Sequence, residues 1–446
     1  MNLPNYYPDT AKIDNKGNLE IGGYDLEELA ERFGTPLYVL DEQTIRNSIS
    51  AYKSALAEFY PNSLVIFACK ALCIQALCAI CKQESIGLDV VSAGELHTAK
   101  SVNFPAERIY LHGNNKSRQE LEMISELEEA RVIIDNFHDI KLLKDINKPI
   151  KALLRITPGI ECHTHEYIKT GHIDSKFGFD LEQLDEAVEE VLSAENIQLI
   201  GVHAHIGSQI FESQPFADLA GILLGRYARI QKHHSLPLTE INLGGGFGVN
   251  YTNADNAPSI HHQIQTISSY LLSNADTLNI DTPRLIVEPG RSLVARAGIT
   301  LYTLGAQKTT STDTKYFSLD GGMADNPRPI TYKAKHASAL VKDPYAQERD
   351  CEVYTLAGRY CESGDVLIQR ANLPKTASSG DLIAMLGTGA YNYSMSSNYN
   401  RSPRPAMVLL NEGEAEVILQ RESLDDLLSH DVLPGRFQAI QGSAFS

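Results

Sequence analysis

From residue 64 to residue 288 the chain alternates two hydrophobic patterns. Short apolar runs recur at 64–70, 86–90, 108–111, 132–135, 152–157, 198–204, 240–243 and 284–288. The first of these, Leu64-Val65-Ile66-Phe67-Ala68-Cys69, is apolar throughout, as a strand buried on both faces requires. Between the runs lie longer stretches of helical character, at 71–81, 94–102, 118–130, 181–194, 215–234 and 259–274. Strands alternating with helices predict an α/β fold, a parallel (β/α)8 TIM-type barrel over residues 41–291. A doubly wound open sheet shows the same alternation and is the structural alternative.

The flanks read differently. A short strand is expected at 19–22, then a helix from Asp25 with Glu28 as its capping pair, stopped by Thr35-Pro36. A second strand follows at 37–40, and Asp41 is placed to cap a helix over 42–60. Beyond Arg291 come short strand-like runs at 299–307, 315–319, 352–357, 365–369, 382–386, 407–411 and 415–420, separated by turn residues. They predict a mostly antiparallel β domain formed by residues 292–446, joined by residues 1–40. The segment 158–180 exceeds ordinary loop length and is a candidate functional loop.

Composition narrows the class of function. The 446 residues carry 56 acidic and 39 basic side chains, a net charge of -17, so nucleic acid and anionic membranes are disfavoured as partners. Lys70 and Gln75 interrupt the apolar stretch 64–81, which therefore suits strand plus helix better than a membrane span. The start, Met1-Asn2-Leu3-Pro4-Asn5-Tyr6, lacks the basic-then-apolar order of a signal peptide, and a cytoplasmic location is expected. Seven thinly spread cysteines do not make a disulfide framework. Cys78 and Cys81 have the spacing of half a zinc site, but no second pair stands near, so they are expected to be small apolar core residues.

Candidate chemistry collects where the predicted strands end. Lys70 closes the first run, and an amine there is costly unless it is paired or reactive; at the mouth of a parallel strand it can form a Schiff base with a carbonyl compound. Asp89, His112, Asn136 and Arg155 close the next four. His203 and His205 stand at the sixth, Gly244-Gly245-Gly246 after the seventh and Glu288 at the eighth. Barrel enzymes build their sites at this C-terminal mouth. The glycine run leaves amides open to a phosphate. His203 and His205 also suit a metal, which supports a rival, a metal-dependent barrel hydrolase. Glu288-Pro289-Gly290-Arg291 offers a carboxylate that keeps a pyridine nitrogen protonated. Schiff-base lysine, phosphate loop and pyridinium partner together point to pyridoxal 5'-phosphate.

Phe67-Ala68-Cys69-Lys70, His205-Ile206-Gly207-Ser208-Gln209, Gly244-Gly245-Gly246-Phe247-Gly248 and Glu288-Pro289-Gly290-Arg291 resemble the fold-type III pyridoxal-phosphate decarboxylases, which join an alanine-racemase-like barrel to a β domain. Within that group the chain is most similar to the diaminopimelate decarboxylase family. That likeness rests on Leu111-His112-Gly113-Asn114-Asn115-Lys116-Ser117, His163-Thr164-His165, Lys176-Phe177-Gly178, Gly321-Gly322-Met323 through Arg328-Pro329, Cys361-Glu362-Ser363-Gly364-Asp365, and Gly389-Ala390-Tyr391 with Ser394-Met395. It departs at Ala71-Leu72, where the family has Ala-Asn.

The resemblance implies that Lys70 holds the cofactor, His205 stacks on its ring and Glu288 pairs with the ring nitrogen. Ser208, Gly245, Gly246 and Gly290 would contact the phosphate, with Asp89 and Arg155 completing the surroundings. Arg291, Arg328 and Tyr332 would grip a distal carboxylate of the substrate, Glu362 its distal ammonium, and Tyr391 would touch both cofactor and substrate. Cys361 would return the proton after carbon dioxide leaves. In the family Cys361 and Glu362 reach into the neighbouring subunit's site, which implies a homodimer; no metal is implied. The reaction expected is decarboxylation of meso-2,6-diaminopimelate to L-lysine, the last step of lysine biosynthesis. The rivals are an ornithine- or arginine-type decarboxylase on the same fold and a non-catalytic relative that binds a partner.

Overall fold

A computed structural model describes residues 3–160, 175–344 and 350–438. Eight parallel strands close a barrel: β1 (Ser63–Ala68), β2 (Gly87–Val90), β3 (Ile109–Leu111), β4 (Arg131–Ile134), β5 (Ile150–Arg155), β6 (Ile197–His203), β7 (Glu240–Asn242) and β8 (Arg284–Val287). Closure is made by β8 against β1, with Leu285, Ile286 and Val287 opposite Ser63, Leu64 and Val65. An open sheet has no such pairing, so the doubly wound alternative is excluded.

Strand alternation explains the layers. Leu64 and Ile66, with Tyr110, Ile133, Leu153, Ile200 and Ile286, form a compact cluster inside the barrel. Their neighbours Val65, Phe67, Leu88, Val132, Leu154, Val202 and Val287 face outward into the much larger core beneath the helices. Below the inner cluster, buried Glu240 accepts hydrogen bonds from Tyr110 (3.0 Å) and Arg131 (3.1 Å), closing the barrel floor with a neutralised charge. Continuing the two-residue period upward from the apolar layer leads to Ala68, His112, Asp135, Arg155 and Glu288. The barrel's inner parity therefore delivers polar side chains to its mouth.

Local details depart from expectation. β1 stops at Ala68, and Cys69–Ala71 forms a 3-10 turn that carries Lys70; the helix begins only at Gln75 and runs to Gln83. The delay has a cause: the Ala71 carbonyl accepts the Tyr391 amide at 2.8 Å and the Ser394 hydroxyl at 3.2 Å, so it is committed to docking the β domain. Asn136 does not face the barrel mouth. It caps the helix Phe137–Ile146 by accepting from the Asp139 amide, and Asp135 is the inward residue. Asp25 caps Leu26–Phe33 through the Glu27 amide, and Glu28 is not its partner. Asp41 stands at the start of Glu42–Phe59 without a side-chain capping bond, because its carboxylate takes the Thr44 hydroxyl instead.

The second sheet gathers both ends of the chain. Leu37–Asp41 lies between Gly298–Thr309, antiparallel, and Ala406–Asn411, parallel. Gly298–Thr309 also pairs antiparallel with Lys315–Leu319 and Leu382–Leu386. Lys315–Leu319 runs parallel to Cys351–Ala357. The sheet is thus mostly antiparallel with two parallel pairings; of the two strands expected in the first forty residues, Leu37–Asp41 joins it, whereas Leu19–Ile21 pairs with Lys12–Ile13 and Tyr24–Asp25 in a separate three-stranded antiparallel sheet. Residues 161–174 of the long loop, including His163-Thr164-His165, lie outside the described residues. Among the described residues no helix is long and apolar enough to cross a membrane.

Candidate active site

A cavity of about 370 Å³ opens where the barrel mouth meets the second sheet. Lys70, Asp89, His205, Ser208, Gly245, Gly246, Glu288, Gly290, Arg291, Arg328, Tyr332 and Tyr391 line it, with Phe177 and Met395 added. Twelve of the fifteen residues expected from sequence are therefore brought together by the fold. Arg155, Cys361 and Glu362 do not line it.

The floor is a network of buried charge. Glu288 faces Nε2 of His112 at 2.9 Å and of His203 at 3.4 Å, and accepts from the Asn242 amide at 2.7 Å. Burial would raise its carboxyl pKa, but the His112 and His203 contacts outweigh burial and hold it well below the usual range. The His203 ring itself is pushed down to about 3, chiefly by burial, and stays neutral. Burial likewise raises the carboxyl of Asp89, which lies 3.7 Å from His112. Burial alone would depress the Lys70 amine, yet Asp89, Tyr391 and Glu288 outweigh it and raise the pKa. Lys70 is thus held at the mouth as a cation among carboxylates. Arg155 is buried beside this floor, 3.4 Å from Asp135 and 4.1 Å above the Phe177 ring.

One wall is built from backbone. The Gly245 amide donates to Nδ1 of His205 at 3.2 Å, and the Gly244 amide to the Asn242 side chain at 2.9 Å. A Cβ on Gly245 would stand 2.1 Å from the Glu288 carbonyl, and one on Gly246, at φ +114°, would stand 2.6 Å from the Gly207 carbonyl. Only glycines allow this approach of three loops. Burial, and then the charges of Lys70 and Arg155, drive the His205 pKa well down, so its ring is neutral. His203 and His205 are turned apart: His203 converges with His112 and Glu288, whereas His205 belongs to no such trio among the described residues. The adjacent pair that suggested a metal does not act as a pair.

The opposite wall is cationic. Arg291 donates to the Tyr251 hydroxyl at 2.7 Å and to Ser208 at 2.9 Å. The Tyr391 ring lies 4.9 Å from its guanidinium carbon and 5.4 Å from that of Arg328, which also stacks on Tyr332 at 5.3 Å. Both arginines are buried, and their Nε atoms have no hydrogen-bond partner. No carboxylate of the described residues forms an ion pair with either. Burial, reinforced by the Arg291 charge, pushes the Arg328 pKa down. Two desolvated guanidiniums beside an open cavity are a receptor for anions. Tyr391 is held at φ +62°, a left-handed conformation that bulky residues rarely adopt, by the bond from its amide to Ala71.

Cys361 and Glu362 lie elsewhere. Both are exposed, on the loop after Cys351–Ala357. The Cys361 amide donates to Asn400 at 3.1 Å, and Glu362 accepts from the Tyr399 hydroxyl at 3.4 Å. Sequence reasoning passed over Asn242, Tyr251 and Asp135. Asn242 and Asp135 had a readable signal, since each stands two residues beyond an inward-facing position; Tyr251, in an irregular segment, had none.

Residues 42–295 match the family of the pyridoxal-dependent decarboxylase, pyridoxal binding domain. A diaminopimelate decarboxylase of Synechocystis sp. is 47% identical over 97% of this chain and 94% of its own length. That of Bacillus subtilis is 45% identical over 95% and 97%. The crystal structure of diaminopimelate decarboxylase from M. jannaschii in co-complex with L-lysine superposes with a TM-score of 0.89 at 34% identity, covering 96% of this chain and 99% of that one. Likeness of this extent takes in the barrel, the second sheet and the loops that join them, and the chain belongs to the diaminopimelate decarboxylase family of pyridoxal-dependent decarboxylases.

Proposed function

We propose that this chain decarboxylates meso-2,6-diaminopimelate to L-lysine and carbon dioxide, with residues 41–291 holding pyridoxal 5'-phosphate and residues 1–40 and 292–446 completing the site. The observation that carries the reading is the cavity's polarity: an amine and a carboxylate at its floor, glycine amides on one wall and, on the other, two buried guanidiniums with no carboxylate partner among the described residues. The cavity suits the cofactor. Lys70 would bind its carbonyl carbon, Glu288 its ring nitrogen, and Ser208, Gly245, Gly246 and Gly290 its phosphate, the cradle in which a Cβ finds no room. When bound, pyridoxal phosphate supplies an electron sink for the carbon that loses its carboxylate.

The chain's own groups do the rest. Glu288, kept ionised by His112 and His203, holds a proton at the ring nitrogen. The neutral His205 ring would pack against the cofactor without competing for charge. Arg291 anchors Ser208 and, with Arg328 and Tyr332, receives the substrate's far carboxylate. Ornithine and arginine carry no such anion, so that wall disfavours them. Cys361 and Glu362 are exposed here, and in our reading they serve the site of a second copy in a homodimer. Cys361 there returns a proton to the substrate carbon, and Glu362 receives the distal ammonium.

The test is lysine formation by pyridoxal-phosphate-loaded protein offered meso-diaminopimelate, ornithine and arginine in parallel. Product from the first alone is expected. Turnover of ornithine or arginine at comparable kcat/KM would remove Arg291 and Arg328 from distal-carboxylate recognition.

A further inference from the structure

Beside the lysine turn three cysteine sulfurs converge, and none of the three cysteines lines the cavity. Cys69 lies in the 3-10 turn, Cys73 in the extended link after it and Cys78 one turn into the helix Gln75–Gln83. Their Sγ atoms all lie within 4.8 Å of one another. Cys69 and Cys78 are buried, and Cys73 is half-buried, which opens the group to solvent on one side. The delayed helix start creates this arrangement. Had the helix begun at Ala71, as the sequence pattern predicts, Cys69 would have stayed on the strand and Cys73 would have taken a helical position.

From this geometry we infer that Cys69, Cys73 and Cys78 form a three-thiolate site for a thiophilic divalent d10 cation of the zinc class. Thiolate sulfurs around such an ion sit at ~2.3 Å, hence about 4.0 Å apart in a trigonal plane, so a small contraction of the observed cluster suffices. Soft donors with no oxygen or imidazole among them select zinc-like or cuprous ions over magnesium or calcium. Three thiolates bring three negative charges into a buried wall that already holds the Glu95 carboxyl. A divalent ion cancels more of that charge than a monovalent one, which favours the zinc class. Binding displaces the three thiol protons to solvent and involves no change of oxidation state. A disulfide would use two sulfurs and leave the third, and it needs an oxidant that nothing in the molecule provides. Cys81, also buried, stands outside the trio, so the spacing that first suggested half a zinc site marks the wrong pair.

Occupancy is linked to the active site through one residue. Cys69 and Lys70 share the turn whose Ala71 carbonyl docks Tyr391 and Ser394. Drawing Cys69 onto an ion moves that turn and the amine it presents. A bound cation therefore lowers turnover without entering the cavity.

The experiment strips the reduced, pyridoxal-phosphate-loaded protein of metal with a chelator and titrates cadmium, reading the sulfur-to-cadmium charge-transfer absorbance. Saturation at one ion per chain, reversed by zinc, is expected. Cys73→Ser and Cys78→Ser should each weaken binding by about a hundredfold or more, and Cys351→Ser should leave it unchanged. Absence of a saturable band, or a band that survives Cys73→Ser, would overturn the site. Cys73 is half-buried, so that variant keeps the test alive even where Cys78→Ser does not fold. In the activity arm, which alone rests on the decarboxylase reading, zinc should inhibit the parent chain reversibly and spare Cys73→Ser. Equal inhibition of both would break the link to Lys70.

Discussion

The barrel mouth and the Cys361–Glu362 loop make an instructive contrast. At the mouth, Asp89, His112, His203 and Glu288 are buried together beneath the exposed Lys70, and each of these four groups has a partner supplied by another strand of the same chain. On the loop, Cys361 and Glu362 are exposed, and their nearest bonds are to Asn400 and Tyr399. The mouth is complete within one chain, whereas the loop presents chemistry outward. Buried networks set pKa values through desolvation and close partners. An exposed thiol and carboxylate acquire that control only when something covers them. The division matches the two halves of the proposed reaction, with the electron sink held privately and the proton return shared between copies.

The contrast can be broken from either side, and the largest effect belongs to the mouth. Lys70→Ala should abolish both turnover and the visible absorbance of lysine-bound cofactor; residual turnover at parental rates would show that the amine is not the attachment point. Cys361→Ala should cut kcat by about 10²–10⁴-fold while the cofactor absorbance stays intact, because only a proton transfer is lost. Loss of cofactor in that variant would mean that the loop belongs to the mouth after all.

Between the two regions stands Asp325. Its carboxylate accepts from Tyr302, from the Gly322 amide at 3.0 Å and from the Tyr360 hydroxyl at 3.1 Å, tying the segment before Arg328 to the loop that carries Cys361. Burial pushes its pKa up to about 6. A carboxyl with a raised folded-state pKa binds its proton more tightly folded than unfolded. Its stabilising contribution is full below the unfolded value and is lost as pH rises through about 6. In urea unfolding the parent should lose about 3 kcal/mol of stability relative to Asp325→Asn between about pH 4 and pH 7. An unchanged slope in the variant would place the titration elsewhere. The smallest effect is expected at the cationic wall. Arg328→Lys keeps the charge but loses the fork, and KM for diaminopimelate should rise by about tenfold to a hundredfold with kcat nearly kept, worth about 1.5–3 kcal/mol. A fall in kcat alone would assign Arg328 to chemistry instead of grip.

How much of this was legible beforehand follows the same divide. The barrel could be read because a two-residue period and a strand-ending polar residue are local signals; Ile66, Ala68 and Lys70 announce their own orientation. The reading slipped by one residue at Asn136, where strand end and helix cap adjoin and both residues are polar. It slipped by four at the helix after Lys70, because the docking of Tyr391 onto Ala71 is a contact between segments some three hundred residues apart. Tyr251 and the Ser208–Arg291 bond were invisible for the same reason. In the second sheet, alternation predicted strands but not that Leu37–Asp41 and Ala406–Asn411 pair in parallel. The places of Arg328, Cys361 and Glu362 came from family resemblance alone, since an exposed loop carries no periodicity to read.

Mixing two inactive chains tests the division most directly. A Lys70→Ala chain and a Cys361→Ala chain, co-refolded or co-expressed, can form a heterodimer in which one site combines Lys70 from one copy with Cys361 from the other. Lysine formation should reappear in the mixture, approaching half the parental rate per heterodimer, with neither chain active alone. A mixture that forms dimers yet stays as inactive as its components would contradict the division, and would place Cys361 in its own chain's site or outside catalysis altogether.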